Sequence, residues 1–281
     1  MPQQVTAIKK RIASIKGAYK ITSAMKLVST VKLKKWRKTM LENKEYSDEI
    51  ISLTSKVLSC SEKVKSPYFE PNTKANKKLY IIISSTLGLC GSYNNNMLRL
   101  ADANILPNDD LLILGGKALI HYADKPNTKV KGFEEITNLS SVEFQKQLLN
   151  LVTKEYLDGT YSEIHLIYSE YVNALIFKAK DALILPIPKI EADDKGIPPL
   201  LEPNPQALVD KLVPLYLMNS LRSKILESEV CEQASRSNAM ENATKNAEDL
   251  LDTLSIEFNK ARQGAITQEI IEIVGAANDN M

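Results

Sequence analysis

The sequence predicts an α/β protein: a body of alternating strands and helices carrying a long antiparallel coiled coil made from the two ends of the chain. Three observations predict it. Helical periodicity runs almost uninterrupted through both termini, and strand-like and helix-like segments alternate between them. Only 10 Gly and 12 Pro occur in 281 residues, which favours long regular elements over loops. Hydrophobic and charged fractions of 44% and 25% are those expected of a soluble globular chain. The length suffices for a buried core in one large domain or two modest ones.

Residues 3–58 read as one helix. Val5, Ile8, Ile12, Ile15 and Tyr19 recur at spacings of three and four, and Met25, Val28 and Val31 extend a drifting stripe. Pro2 stands at the start, and Gly17 is the only interior breaker before SPYFEPN at 66–72. At the rise of an α-helix this segment is roughly 80 Å long, too long for one globular core, so part of it must project or pair with another helix.

The pattern changes at about residue 77. LYIIIS (79–84) and LLILG (111–115) are strands, each followed by a helix, NNMLRLADAN and GKALIHYAD. A weak strand is expected at 129–133, then the helix VEFQKQLLNLVTKEYL. EIHLIYSEY (163–171) and AKDALILPI supply the last two strands. Such alternation predicts a parallel or mostly parallel sheet. A Pro-rich turn at about 186–205 closes the body.

Residues 206–276 form a second long helix, on the order of 105 Å. Leu208, Leu212, Leu215, Leu221 and Ile225 mark its first half; Ala239, Ala243, Ala247, Leu250, Leu254, Phe258, Ala261 and Ala265 mark its second. Pro214 is expected to kink it. Its small seam residues suit a thin coil, and imperfect heptads make that coil irregular. The expected divisions are 1–75 for the N-terminal helix and linker, 76–190 for the body, and 191–281 for the linker and C-terminal helix.

Several functions are excluded or disfavoured. Cys60, Cys90 and Cys231 are odd in number, widely spaced and form no CxxC, so neither a disulfide framework nor a zinc site is expected. His121 and His165 have no companion at ligand spacing. The loop STLGLCGSYNN lacks both GxGxxG and GxxxxGK[ST], and Gly115-Gly116-Lys117 lacks the rest of a phosphate motif. No GxSxG or equivalent is present. No catalytic residue, metal or cofactor is expected, and no apolar run reaches the length of a membrane span.

Charge is informative by position. The net charge is only +2, yet the first acidic residue is Glu42, with lysine and arginine spread through everything before it. That basic helix is a solvated face, a nucleic-acid-binding surface, or a surface that docks on acidic protein loops. Trp36 and Tyr19 are isolated and make no stacking platform, which weighs against nucleic acid. A basic coiled-coil nucleic-acid-binding protein remains the alternative reading.

ITSAMKLVSTVKLKK (21–35), GLCGSYN (88–94), LVPLYLMNSLRSKILESEVCEQASRSNAMENATKNAEDL (212–250) and NKARQGAITQEIIEIVGAA (259–277) resemble the gamma subunit of F-type ATP synthases. The resemblance spans the chain, and its C-terminal block is the most specific part. It implies a long antiparallel coiled coil of N- and C-terminal helices plus a Rossmann-like α/β domain. It also implies a non-catalytic, single-copy central rotor shaft. That shaft couples proton-driven rotation to a catalytic ring of alpha and beta subunits, and its base meets the epsilon and delta subunits and the membrane c-ring. The implied location is peripheral, on the cytoplasmic face of a bacterial plasma membrane, with no nucleic acid partner. Carried over residue by residue, the positions touching beta are Met25, Arg236, Arg262, Gln263, Thr267, Glu269 and Glu272. The chain departs from the family at Thr86 and Leu87, where an acidic and a basic residue are usual, and at Gly275-Ala276-Ala277, where Ser-Gly-Ala is common. None of its cysteines matches the inserted redox pair of chloroplast relatives.

Overall fold

Five consecutive apolar residues make β1 (Lys78–Ile83) a strand buried on both faces, as a central strand flanked by helices must be. The computed structural model describes residues 3–59, 65–73, 75–124, 139–188 and 201–278. The strand expected at 129–133, most of the Pro-rich turn, Pro2 and Cys60 lie outside them. The structure divides into two units, Val31–Ser235 and a second formed by Met1–Thr30 with Arg236–Met281.

The larger unit is built on a four-stranded sheet. β1 is followed by the helix α2 (Tyr93–Asn104), β2 (Asp110–Leu114), the short helix α3 (Gly116–Tyr122), the helix α4 (Val142–Leu157), and then β3 (Glu163–Tyr171) and β4 (Phe177–Leu185). The order across the sheet is β2-β1-β3-β4. β1 pairs parallel with β2 and with β3, while β4 runs antiparallel to β3, so the sheet is mixed. The antiparallel edge follows from chain length: residues 172–176 are too few for a parallel crossover. That hairpin closes on Asn173, whose Oδ1 accepts from the amides of Leu175 and Ile176.

Alternate residues of β1 feed two cores. Leu79, Ile81 and Ile83 face Leu148, Val152 and Tyr156 of α4, together with Val57 and Val209, Val213, Leu217, Leu221 and Ile225 of the two terminal helices. Tyr80 and Ile82 face Tyr93, Met97 and Ala101 of α2 and Ala118 and Tyr122 of α3. The period of two in a strand thus assigns one face to the terminal helices and the other to the short ones. Residues 31–59 and 205–235 of the two terminal helices belong to this unit. Gly115, directly after β2, sits at φ +106 against the carbonyl of Ser84.

The terminal helices are α1 (Gln3–Ser59) and α5 (Pro205–Asn278), and α5 continues through Pro214 without interruption. In the smaller unit they pair antiparallel. Lys26 Nζ meets Glu241 at 2.9 Å, Thr244 Oγ1 donates to Thr22 Oγ1 at 2.9 Å, and the hydroxyls of Thr30 and Ser237 lie 3.1 Å apart.

The seam differs from the expected stripe. Val28, Val31 and Leu250 are exposed and Ser29 is buried, while Ala247 and Leu254 are buried as expected. Steps of three, as in Met25–Val28–Val31, precess around a helix away from a partner, whereas a two-helix seam needs alternating threes and fours. The seam therefore takes Ser29 and leaves two valines facing outward.

Candidate partner-binding surface

The sites at which a phosphate or a nucleophile would be sought are internally satisfied. Ser85 donates its amide to Asn94 Oδ1, and at the start of α3 Ala118 donates its amide to Ser84 Oγ. These are amides that a dinucleotide-binding loop would present to a pyrophosphate. Cys90 is buried, with Asn94 Nδ2 donating to its sulfur at 3.1 Å. Cys231 is buried too, and burial pushes its thiol up to about 12, the opposite of a reactive thiolate. His165 sits between Asp181 (2.8 Å) and Glu163 (3.0 Å). Burial by itself lowers its pKa, but hydrogen bonds to those two carboxylates outweigh it and raise the pKa. The carboxylates are engaged in turn by Asn104 and Lys78, which makes this a closed charge network on the sheet. No cluster that could hold a metal ion occurs among the described residues, and no described helix is long and apolar enough to cross a membrane.

Glu229 on α5 is a carboxyl with a displaced equilibrium. Burial, then the like charge of Glu232, push its pKa up to about 7, against the weaker pull of Lys32 and Lys35. A raised carboxyl pKa means that folding favours the protonated form. The cost is absent below the unfolded value near 4.5 and complete above about 7. Glu229→Gln should therefore raise stability at pH 8 by up to ~3 kcal/mol and leave it unchanged at pH 4. Urea midpoints measured at the two pH values check this; an equal gain at both would refute it.

What remains for function is the outer surface of the coil. Lys9, Lys10, Arg11, Lys16 and Lys20 are all exposed on α1. At the three interhelix pairs named above the residue numbers total 266 or 267, so Gln3 falls opposite about residue 264. Beyond that level α5 runs on to Asn278 without α1 beside it. Ile266, Ile270, Ile271, Ile273 and Val274 on this overhang are all exposed, Ile273 at 69%.

The residues expected to touch a partner fall into three environments. Arg262, Gln263, Thr267, Glu269 and Glu272 are exposed on or beside the overhang. Two are engaged locally: Thr267 Oγ1 donates to the carbonyl of Gln263, and Glu272 accepts from Gln268 one turn earlier. Met25 is half-buried along the seam. Arg236 is only 6% exposed and partnered within the chain, so it offers little surface outward. The exposed isoleucines were not among the expected residues. Their signal is nonetheless in the sequence: five β-branched aliphatics within residues 266–274, too many for a solvated helix end.

The chain resembles known proteins along almost its whole length. A family model described as ATP synthase matches residues 4–279. The ATP synthase gamma chain of Mycoplasma capricolum is 36% identical over 281 residues, covering 98% of each chain. That of Clostridium beijerinckii is 36% identical over 274 residues, covering 96% of each. Among solved structures, the rotor of the Euglena gracilis mitochondrial ATP synthase matches with a TM-score of 0.68 at 20% identity, over 94% of this chain and 99% of that one. A chain of the Tetrahymena thermophila central stalk and c-ring matches with a TM-score of 0.57 at 24% identity, over 79% and 99%. These two likenesses concern the fold.

Proposed function

The chain belongs to the ATP synthase gamma-chain family, and from that premise we propose that it is the central rotor shaft of a rotary ATP synthase. It makes and breaks no bonds itself. It couples proton-driven rotation to the conformational cycle of a ring of alpha and beta subunits, which work at the tip and flank of the coil. The base meets the membrane c-ring and the epsilon and delta subunits, with one copy per complex on the cytoplasmic face of a bacterial plasma membrane.

The observation that carries this reading is the overhang of α5. A helix end that leaves its coil partner and exposes five aliphatic side chains is unstable against association unless something surrounds it. A narrow apolar collar would surround it, and one without fixed polar partners would let it turn. On the same stretch and just before it, Arg262, Gln263, Thr267 and Glu269 present polar groups, and farther along the coil Met25 presents a half-buried apolar one, to passing beta subunits. Glu272 would join them once released from Gln268. Arg236 would act from within the coil, by holding its shape.

Magnitudes decide how such a shaft drives its ring. Switching a subunit almost fully between two states takes roughly 5.5 kcal/mol of differential interaction. One exposed ion pair contributes about 0.2–1 kcal/mol. The push is therefore distributed and largely steric. An irregular coil suits this, because a symmetric one would look alike to every neighbour.

Reconstitution tests the reading: the chain should co-purify with alpha and beta subunits in a fixed single-copy ratio, whereas binding nucleic acid alone would favour the rival function. In that complex Arg262→Ala should weaken coupling by less than about fivefold and leave ATP hydrolysis intact, because one contact among many is lost. Abolished hydrolysis with assembly preserved would contradict a distributed push.

A further inference from the structure

Where α1 and α5 run side by side in the larger unit, the seam turns polar. Asn43 (8% exposed), Ser47 and Asn219 (4% exposed) are buried where a two-helix seam ordinarily places leucine or isoleucine. Apolar packing on α1 resumes only at Ile50 and Val57. Arg222 donates from Nε to Asn43 Oδ1 at 2.9 Å, which fixes that amide: its oxygen faces Arg222 and its Nδ2 points elsewhere. Asn43 Nδ2 has no protein partner, and neither has Asn219 Oδ1. One is an unused donor on α1, the other an unused acceptor on α5. Both residues line one space of about 370 Å³, whose remaining wall is Thr39, Glu42, Tyr46, Leu215, Met218 and Arg222.

We propose that a bound water completes this layer, accepting from Asn43 Nδ2 and donating to Asn219 Oδ1. The two helices are then joined at this level by a relayed hydrogen bond in place of apolar packing. The chemistry favours water over other occupants. A single small molecule must accept at one end and donate at the other, and a space of this size lined by these two amides admits it. A bridging water is nearly as favourable as a direct bond, whereas two orphaned amide groups on facing helices would each weaken the fold. The consequence for a shaft, which does rest on the rotor reading, is a joint that can shift by re-forming through water instead of breaking packed contacts.

A double-mutant cycle on the full-length chain tests the relay without reference to rotation. Asn43→Leu and Asn219→Leu should each lower the folding equilibrium constant about tenfold, since each leaves the other amide without its bridge. The double variant should be no less stable than Asn43→Leu alone, because the bond from Arg222 to Asn43 is lost in both and no bridge partner is then left over. Amide hydrogen exchange over residues 39–47 should be slower in the double variant than in the parent, and a high-resolution crystal structure of the parent should place a water within hydrogen-bond distance of both atoms. Single losses that simply multiply in the double variant overturn the proposal. So does a structure in which the two side chains bond each other directly.

Discussion

Replacing Ile266, Ile270 and Ile273 together by serine is expected to weaken binding of the chain to a reconstituted alpha–beta ring about 100-fold while leaving its own melting temperature unchanged. The three residues share one stripe of α5, at spacings of four and three, and all are exposed when the chain is alone. Removing exposed apolar groups costs the isolated fold little. Inside a collar the same groups lose water, and full burial of an isoleucine contributes about 1.5–3 kcal/mol. Allowing for incomplete burial in a bearing that must turn, roughly 1 kcal/mol each gives about 3 kcal/mol, or about two orders of magnitude in affinity. A melt of the isolated variant and a titration of the ring check both halves. A lowered melting temperature with unchanged affinity would place these side chains in the chain's own core and remove the main support for a surrounded tip.

Gly115→Ala is expected to have the largest effect on the fold itself. At φ +106 a side chain is strained whatever the space around it, and here there is none: an added Cβ would lie 2.0 Å from the carbonyl oxygen of Ser84. Ser84 cannot retreat. Its amide donates to Leu114 O at 2.7 Å, and its hydroxyl donates to Gly115 O while accepting from Ala118. Relief of the clash would break the bonds that tie the ends of β1 and β2 to α3. A loss of about 4 kcal/mol or more follows, on the order of 10 °C in a chain of this length. Gly116→Ala is the control: no atom outside its immediate neighbourhood comes nearer than 3.6 Å to the new Cβ, so the variant should melt within about 2 °C of the parent. Equal effects at the two positions would show that backbone strain at Gly115 is not what limits stability.

The contrast between adjacent glycines shows what local sequence signals cover. GG between a strand and a helix announces a turn, but nothing in the two letters says which one lies against a carbonyl. The same limit appears in the coil. The periodicity of 3–58 and 206–276 foretold α1 and α5 to within two residues at each end, since helix formation depends on neighbours along the chain. Which positions form the seam depends on the other helix. Val28, Val31 and Leu250 fit a one-helix reading of the pattern, yet pairing of α1 and α5 in register turns them outward and draws in Ser29.

The residues expected to touch a partner divide the same way. Arg262, Gln263, Thr267, Glu269 and Glu272 were expected from family resemblance, and all are exposed. The inward placement of Arg236 and the exposure of Ile266, Ile270, Ile271, Ile273 and Val274 were not, because exposure is a property of what stands alongside.

Taken alone, the sequence determined the elements, their order, the absence of phosphate-binding and nucleophile motifs, and the family. Each of these is written in residue types and spacings that act over a few turns of chain. The folded chain decided the seam of the coil, the polar layer at Asn43 and Asn219, and the point near residue 264 where α5 outruns α1. Those depend on which residues meet across long separations, and that is fixed only when the two ends of the chain come into register.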